Sequence, residues 1–396
     1  MSKHILLGIS GGIAAYKSCE LVRLLKKQGH SISVVMSKTS TEFISPLTFQ
    51  ALSGNPVLTD MHENGLGNGM AHINLTREAD ALVIAPATAN TIAKISNGIA
   101  DNLLTNLVAA RKCPLAVVPA MNVEMWNNPA NLRNIEQLRS DGITVFQPAY
   151  GEQACGEIGL GRMLEAADLA DLISDLWTPK ILLGKRILIT AGATFEAIDP
   201  VRGITNISSG QMGTALARAC RAAGAKVTLI YGQLQTTIPT GLFHTEQAVS
   251  AEEMFRAVHN HITNQDVFIS VAAVADYKVK NSSSQKMKKD GSGKVSVIEL
   301  TENPDILASI ASLPTPPFCV GFAAESERVL EYARIKRIRK NIPMLVANQI
   351  SQSMGKTTNQ ITIIDDEHEI SFPETDKRQA ADNIVQHLAA RLNRSS

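Results

Sequence analysis

The strongest constraint on this chain is the grammar of its apolar runs, which are short, do not alternate, and are separated by stretches with helical periodicity. His4–Ile9 leads through a glycine turn into a helical pattern from Ala14 to Gln28. In that pattern Cys19, Val22 and Leu25 recur on one face, and Gly29 supplies the stop. Ile32–Met36, Ala81–Ala85 and Pro114–Val118 repeat the theme. A strand that is apolar throughout is covered on both faces, so the pattern is βαβ: a parallel sheet with helices on each side.

At 396 residues the chain exceeds what one core accommodates. After WTPKILLG (Trp177–Gly184) the grammar restarts with KRILIT (Lys185–Thr190), a helix Gln211–Ala223 and a strand Lys226–Tyr231. The expectation is two α/β, Rossmann-like domains: 1–178 and 185–396, joined by a linker 179–184. The connection Ala191–Gly210 is long for such a unit, and long structured loops tend to be functional. Val267–Ala272, Phe318–Ala323 and Met344–Ala347 extend the second sheet. Ile361–Ile364 and Glu369–Phe372 form a hairpin about a polar DDEH turn, and Asp376–Leu392 is the final helix. The polar, basic segment Asn281–Lys294 is read as mobile.

A formal net charge of +1 and 4% aromatic residues give little footing for nucleic acid or an anionic membrane. The start, MSKHILLGISGG, reads as a first strand rather than a signal peptide or a membrane span. Five cysteines without paired spacing suit a reducing cytoplasm, the expected location.

Chemistry gathers at the strand ends. SGGIAAYK (Ser10–Lys17) reads equally as a tight turn or a phosphate site, since small residues let a phosphate approach the first N–H groups of a helix. SKTST (Ser37–Thr41), APATANTIAK (Ala85–Lys94) and PAMN (Pro119–Asn122) follow later strands at the same carboxyl edge, where ligands of such folds bind. Cys155 stands in a glycine-rich stretch with Gly156, Gly159 and Gly161, a composition suited to a moving lid. The other four cysteines sit in apolar segments and are assigned to the core. In the second half, Ser208–Gly210 reads as a helix N-cap that also suits an anion. VAAVADY ends a strand with Asp276 available to a metal or a ribose, and KMKK (Lys286–Lys289) reads first as a solvated basic loop. Lys336 and Lys340, four apart on a helix, share a face and suit a polyphosphate.

SGGIAAYK, APATAN, PAMN and ACGEIGLGRM (Ala154–Met163) together resemble the flavin mononucleotide (FMN)-binding cysteine decarboxylases, in particular the phosphopantothenoylcysteine decarboxylase domain of the bifunctional bacterial enzymes of coenzyme A synthesis. The resemblance implies a flavodoxin-like domain holding FMN at Gly11, Gly12, Ser37, Thr88, Asn90 and Ala120. It also implies a catalytic His72 in HINL, where Asn74 replaces the usual acid, and a basic Arg77 near a phosphate. Asn122 would hold the substrate carboxylate. The flavin would oxidise the cysteine thiol so that CO2 can leave, and Cys155 would then protonate the product.

IDPVR, NISSGQMG, AAVADY, KMKK, NPDI, GFAAE and the Lys336/Lys340 helix resemble the phosphopantothenate-cysteine ligase domain of the same enzymes. The implied substrates are 4'-phosphopantothenate, cysteine and cytidine triphosphate (CTP), with Mg2+, and 4'-phosphopantothenoylcysteine passes to the first domain. CTP would lie against Ser270, Val271, Ala272, Asp276, Pro304, Asp305, Ile306, Leu307, Phe322, Lys336 and Lys340. Lys286 would promote attack on the α-phosphate, and Asn206 would hold the acyl cytidylate. TFEA at Thr194–Ala197 and Gln211 depart from the usual TREP and SSGKMG, removing two cations near phosphate. The resemblance further implies trimeric decarboxylase units with flavin at subunit contacts and dimeric ligase units, hence a dodecamer. The competing readings are a flavin-binding regulatory protein, which should lack the lid acid, and a two-domain flavoprotein oxidoreductase, which should carry GxGxxG where the second half has AGAT.

Overall fold

The computed structural model describes residues 2–59, 71–288, 297–325, 327–349 and 358–394. Backbone contacts divide the chain into two units, Met1–Trp177 and Thr178–Ser396.

The first unit is a six-stranded parallel sheet ordered β3-β2-β1-β4-β5-β6. Its strands are β1 His4–Ile9, β2 Ser31–Met36, β3 Val57–Leu58, β4 Ala81–Ala87, β5 Leu115–Pro119 and β6 Thr144–Val145. Alternate residues of β1 serve two cores, which is why the run does not alternate in polarity. Ile5, Leu7 and Ile9 pack with Leu21, Val22 and Leu25 of α1 (Ala15–Lys27), while Leu6 faces the opposite side with Leu82 and Ile84. Gly8 belongs to that second face. A Cβ there would fall 2.5 Å from Leu104 of α5 (Leu103–Ala110), so glycine lets the helix lie close. Helices α2 Pro46–Ser53, α3 Ala71–Glu78 and α4 Ala89–Ser96 connect the strands before α5. α6 Val123–Asn127, α7 Pro129–Ser140 and α8 Ala166–Ser174 follow β5. An antiparallel pair, β7 Ala149–Glu152 with β8 Ile158–Arg162, stands apart from the sheet.

The second unit extends the plan to an eight-stranded sheet, β13-β12-β9-β14-β17-β18-β20-β21, parallel from β13 to β18 and antiparallel at β20 and β21. Here β9 is Arg186–Ala191, β12 Lys226–Tyr231, β13 His244–Gln247, β14 Val267–Ser270, β17 Phe318–Glu325, β18 Met344–Gln349, β20 Ile361–Ile364 and β21 Glu369–Ser371. Ile187 and Ile189 pack against α9 (Gln211–Ala222) and the last helix, Lys377–Arg394. Leu188 and Phe268 face α10 (Ala251–His261), α11 (Ile306–Ala311) and α12 (Val329–Arg339). Three small antiparallel pairs complete it: β10 Phe195–Ala197 with β11 Gly203–Thr205, β15 Tyr277–Val279 with β16 Leu300–Glu302, and β19 Thr358–Asn359 with β22 Thr375–Asp376.

One local expectation changes. The segment written as a linker is folded onto the second unit: Leu182 is buried in its core and donates its N–H to Ala223 O. Within the Ser208–Gly210 turn the N-cap of α9 is Gly210, in the left-handed region (φ 73°) and without a side-chain cap. A Cβ there would meet Leu234 at 2.2 Å, so space as well as φ demands glycine. The segment Asn281–Lys294, read as mobile, falls partly outside the described residues.

The DDEH turn is more than a solvated loop. Asp365 is buried; its Oδ1 accepts the N–H groups of Glu367 and His368 at 2.7 Å, and its Oδ2 lies 2.7 Å from His387 and 3.6 Å from Arg391 on the last helix. Burial works to raise this carboxyl, but the two N–H groups, His387 and Arg391 outweigh it and hold the pKa at about 2. A carboxyl depressed on folding stabilises the fold above its ordinary pKa near 3.8 and loses that contribution as pH falls toward 2. Denaturant titrations at pH 7 and pH 2 should therefore show the second unit losing roughly 2 kcal/mol through this group, and Asp365→Asn should remove most of that pH-dependent part.

Candidate functional site

In the first unit the loops after β1, β4 and β5 leave the sheet at one edge and line a cavity of about 670 Å³. Ser10 ties two of them together: its hydroxyl donates to Pro86 O (2.7 Å) and accepts the Thr88 N–H (2.9 Å). A Cβ on Gly11 would stand 2.6 Å from that of Thr39, so glycine lets the first turn close on the loop after β2. Helix α1 follows Ala14 without a side-chain cap; its Ala15, Tyr16 and Lys17 N–H groups turn back to the Gly12, Ile13 and Ala14 carbonyls, and the positive end of its dipole meets the cavity where Gly11–Ala14 line it, which favours an anion. Tyr16, Met121, Met125 and Met163 add apolar wall suited to a flat ring. This combination of a phosphate end and an apolar slot fits FMN.

The β7–β8 hairpin forms the other wall, and its glycines explain how. A Cβ on Gly159 would meet Val123 Cγ2 at 2.4 Å, and one on Gly161, at φ 138°, would meet Met121 O at 2.3 Å. Two of the three glycines that suggest mobility, Gly159 and Gly161, therefore serve close contact: the hairpin lies directly on Met121–Val123. That contact brings Cys155 to Asn122. Asn122 caps α6, its side-chain oxygen accepting the Glu124 N–H at 2.8 Å, which orients the amide so that Nδ2 points to the hairpin. There Nδ2 donates to Gln153 (3.3 Å), to Cys155 Sγ (3.4 Å) and, in a short contact, to the Glu157 carboxylate. Glu157 also lies 3.6 Å from the thiol. Capping α6 and tying down the hairpin are thus two uses of one side chain.

Cys155 is exposed, whereas Cys220 and Cys319 are buried and their thiols pushed up to about 12 by burial. Cys19 and Cys113, assigned to the core from sequence, are only half-buried, and burial raises their thiols too. Gly11, Gly12, Thr88, Ala120, Asn122 and Cys155 line the cavity; Ser37 and Asn90 do not. Ser37 caps the short helix after β2, and Asn90 is exposed on α4. His72 lies in α3, and its side chain is outside the described residues. Gln153, Glu157 and Arg162 were missed; the acid two residues beyond Cys155 was the available signal.

In the second unit a cavity of about 580 Å³ opens beside the ends of β14 and β17. Ser270, Ala272, Asp276, Pro304–Leu307, Phe322, Lys336 and Lys340 line it, with Arg339 as a further cation. Two hydrogen bonds lock its loops together, Asn303 N–H to Asp276 O (2.8 Å) and Asn303 Nδ2 to Ala275 O (2.9 Å). Lys340 reaches Asp305 at 2.7 Å, and Lys336 donates to Phe322 O at 2.8 Å. Burial acts to raise the Asp305 carboxyl. The hydrogen bonds from Lys340 and the Ala308 N–H, with the charges of Lys340 and Lys336, hold it below its ordinary value. Cations at a helix C-terminus also offset its negative end, so they are stable there before any ligand arrives.

Val271, Lys286 and Asn206 are not on this wall. Val271 packs on the core. Asn206 donates to Ala273 O at 3.1 Å, which places it against the loop that follows β14. Lys286 is exposed, but its neighbour Met287 is gripped: Asp199 accepts the Met287 N–H (3.2 Å) and Arg202 donates to the Met287 carbonyl (3.0 Å). The Arg202 guanidinium beside Asp199 holds that carboxyl well below the usual range. The turn IDPVR thus anchors the basic loop. After β9 the chain runs through the β10–β11 hairpin before reaching α9, unlike the tight glycine turn of a dinucleotide site.

Residues 1–178 match the family model for flavoproteins, and residues 182–392 match that of the DNA/pantothenate metabolism flavoprotein C-terminal domain. The coenzyme A biosynthesis bifunctional protein CoaBC of Vibrio cholerae is 46% identical over 390 residues, which cover 98% of this chain and 97% of the relative. Its namesake in Escherichia coli K12 is 43% identical over 353 residues (88% and 87%), and that of Bacillus subtilis 40% identical over 396 residues (98% and 97%). With a cavity at the sheet edge of each half and relatives aligned along nearly its whole length, the chain belongs to the family of coenzyme A biosynthesis bifunctional proteins.

Proposed function

We propose that this enzyme carries out two consecutive reactions of coenzyme A biosynthesis. The second half joins 4'-phosphopantothenate to cysteine at the expense of CTP, and the first half decarboxylates 4'-phosphopantothenoylcysteine to 4'-phosphopantetheine. The observation that carries the reading is the meeting of Asn122 and Cys155 over a cavity with a helix N-terminus at one end.

FMN bound there supplies a reversible two-electron oxidation of the substrate thiol, which gives the departing carboxylate an electron sink. The protein's part is positioning and proton transfer. Asn122 presents an N–H donor whose orientation is fixed by its cap. Its contact with the Glu157 carboxylate supports a role in holding the substrate carboxylate. Cys155, exposed at the tip of the hairpin, is placed to return a proton to the product. His72 is assigned to the oxidation step through family resemblance. Ser37 and Asn90, away from the cavity in a single subunit, agree with flavin bound at a contact between subunits, as in the proposed trimer; a mass measurement tests the dodecamer.

In the second half Lys336, Arg339 and Lys340 form a cationic wall for a triphosphate, and a phosphate oxygen replaces Asp305 as the partner of Lys340. Asp276 and Glu302 on the same wall are oxygen donors of the kind a hard cation takes, so Mg2+ accompanying CTP fits. Lys286 on its anchored loop approaches the carboxylate under activation, and Asn206 holds the acyl cytidylate. The setting is cytoplasmic, in keeping with free cysteines and with no described helix long and apolar enough to cross a membrane.

Two substitutions separate the halves. Cys155→Ser should lower CO2 release from 4'-phosphopantothenoylcysteine by about 100-fold or more while flavin colour and CTP-dependent pyrophosphate release persist; normal decarboxylation by this variant would remove Cys155 from the reaction. Lys340→Ala should raise the KM for CTP about 10- to 100-fold, the worth of one charge-assisted hydrogen bond, and leave decarboxylation of supplied substrate intact. An unchanged KM would refute the wall as the triphosphate site.

A further inference from the structure

The second unit carries a cluster that neither cavity uses. β13 is the edge strand of its sheet, and His244 and Glu246, two residues apart, project from the same face of it. Helix α10 ends at His261, whose imidazole joins that pair. Its Nε2 lies 2.7 Å from Glu246 Oε2, and His244 Nε2 lies 3.6 Å from the same oxygen. The two rings are tilted by 36° with centroids 4.7 Å apart, and the three donor atoms all fall within 4.8 Å of one another.

We propose that His244, Glu246 and His261 bind a zinc-class divalent ion, with solvent completing the coordination. Two imidazole nitrogens and one carboxylate oxygen are the donor set of borderline ions such as Zn2+ or Co2+, whereas Mg2+ prefers oxygen alone. Bonds of about 2.0–2.1 Å to a tetrahedral centre put neighbouring donors roughly 3.3 Å apart. The separations from the Glu246 oxygen bracket that value, so small side-chain rotations admit the ion without moving backbone. The side chains are 43, 39 and 32% exposed, which leaves an ion a path from solvent and room for water. The ion clips the free edge of the sheet to a helix, and an edge strand otherwise has an unpaired side. This role is separate from both reactions, since none of the three residues lines either cavity.

The full-length protein, stripped with chelator and titrated with Co2+, should take up one equivalent at this site with the visible absorption of a low-coordinate N2O centre. Zn2+ should displace it and millimolar Mg2+ should not. His244→Gln and His261→Gln should each weaken Co2+ binding at least about tenfold, and Zn2+ should raise the Tm of the parent but of neither variant. The titration is repeated with Cys155→Ser, because an exposed thiol also attracts soft ions. No visible band, a band lost with Cys155 but kept in both histidine variants, or displacement by Mg2+ would each overturn the site and leave only a His261–Glu246 ion pair.

Discussion

Strands that run parallel in one sheet all release their chains at the same edge, and that single geometric fact assembles both halves of this enzyme. In the first, β1 lies between β2 and β4, so residues near positions 12, 88 and 120 emerge side by side although far apart in sequence. In the second, β14 and β17 are neighbours, which sets the Ala272–Tyr277 loop beside Phe322 and under the cationic end of α12. A helix that begins at this edge, as α1 does, sets the positive end of its dipole beside the cavity, so the backbone itself favours an anion there.

Side chains that cap and brace the loops do the remaining work. Ser10 holds two strand ends in register through one hydroxyl, and Asp305 caps α11 while neutralising Lys340. Asp199 and Arg202 together grip the Met287 backbone, so a basic loop that sequence composition marks as loose is fastened beside Lys286. The polar residues that satisfy the fold thus also line or brace the two cavities.

Much of this was legible in the sequence. Unalternating apolar runs gave the sheets because a strand buried on both faces has no polar side to display. Strand-end motifs located Gly11, Thr88, Ala120 and Asn122 because parallel topology turns sequence position into spatial position. What escaped depends on contacts between distant segments. The register of the β7–β8 hairpin, which brings Glu157 and Gln153 to Asn122, is written in glycines whose need for space looks like flexibility when read alone. Arg339 was passed over because its place on the wall depends on how α12 packs, and the need for glycine at the α9 cap because the turn there answers to Leu234, a residue 24 positions on.

The cap at Asn122 has an evolutionary consequence. Aspartate at this position keeps the oxygen that holds α6 but exchanges a donor for a negative charge facing the pocket. A single nucleobase change therefore keeps the cap of α6 while setting a second carboxylate against Glu157, so it is the hairpin, and not the helix, that demands an amide here.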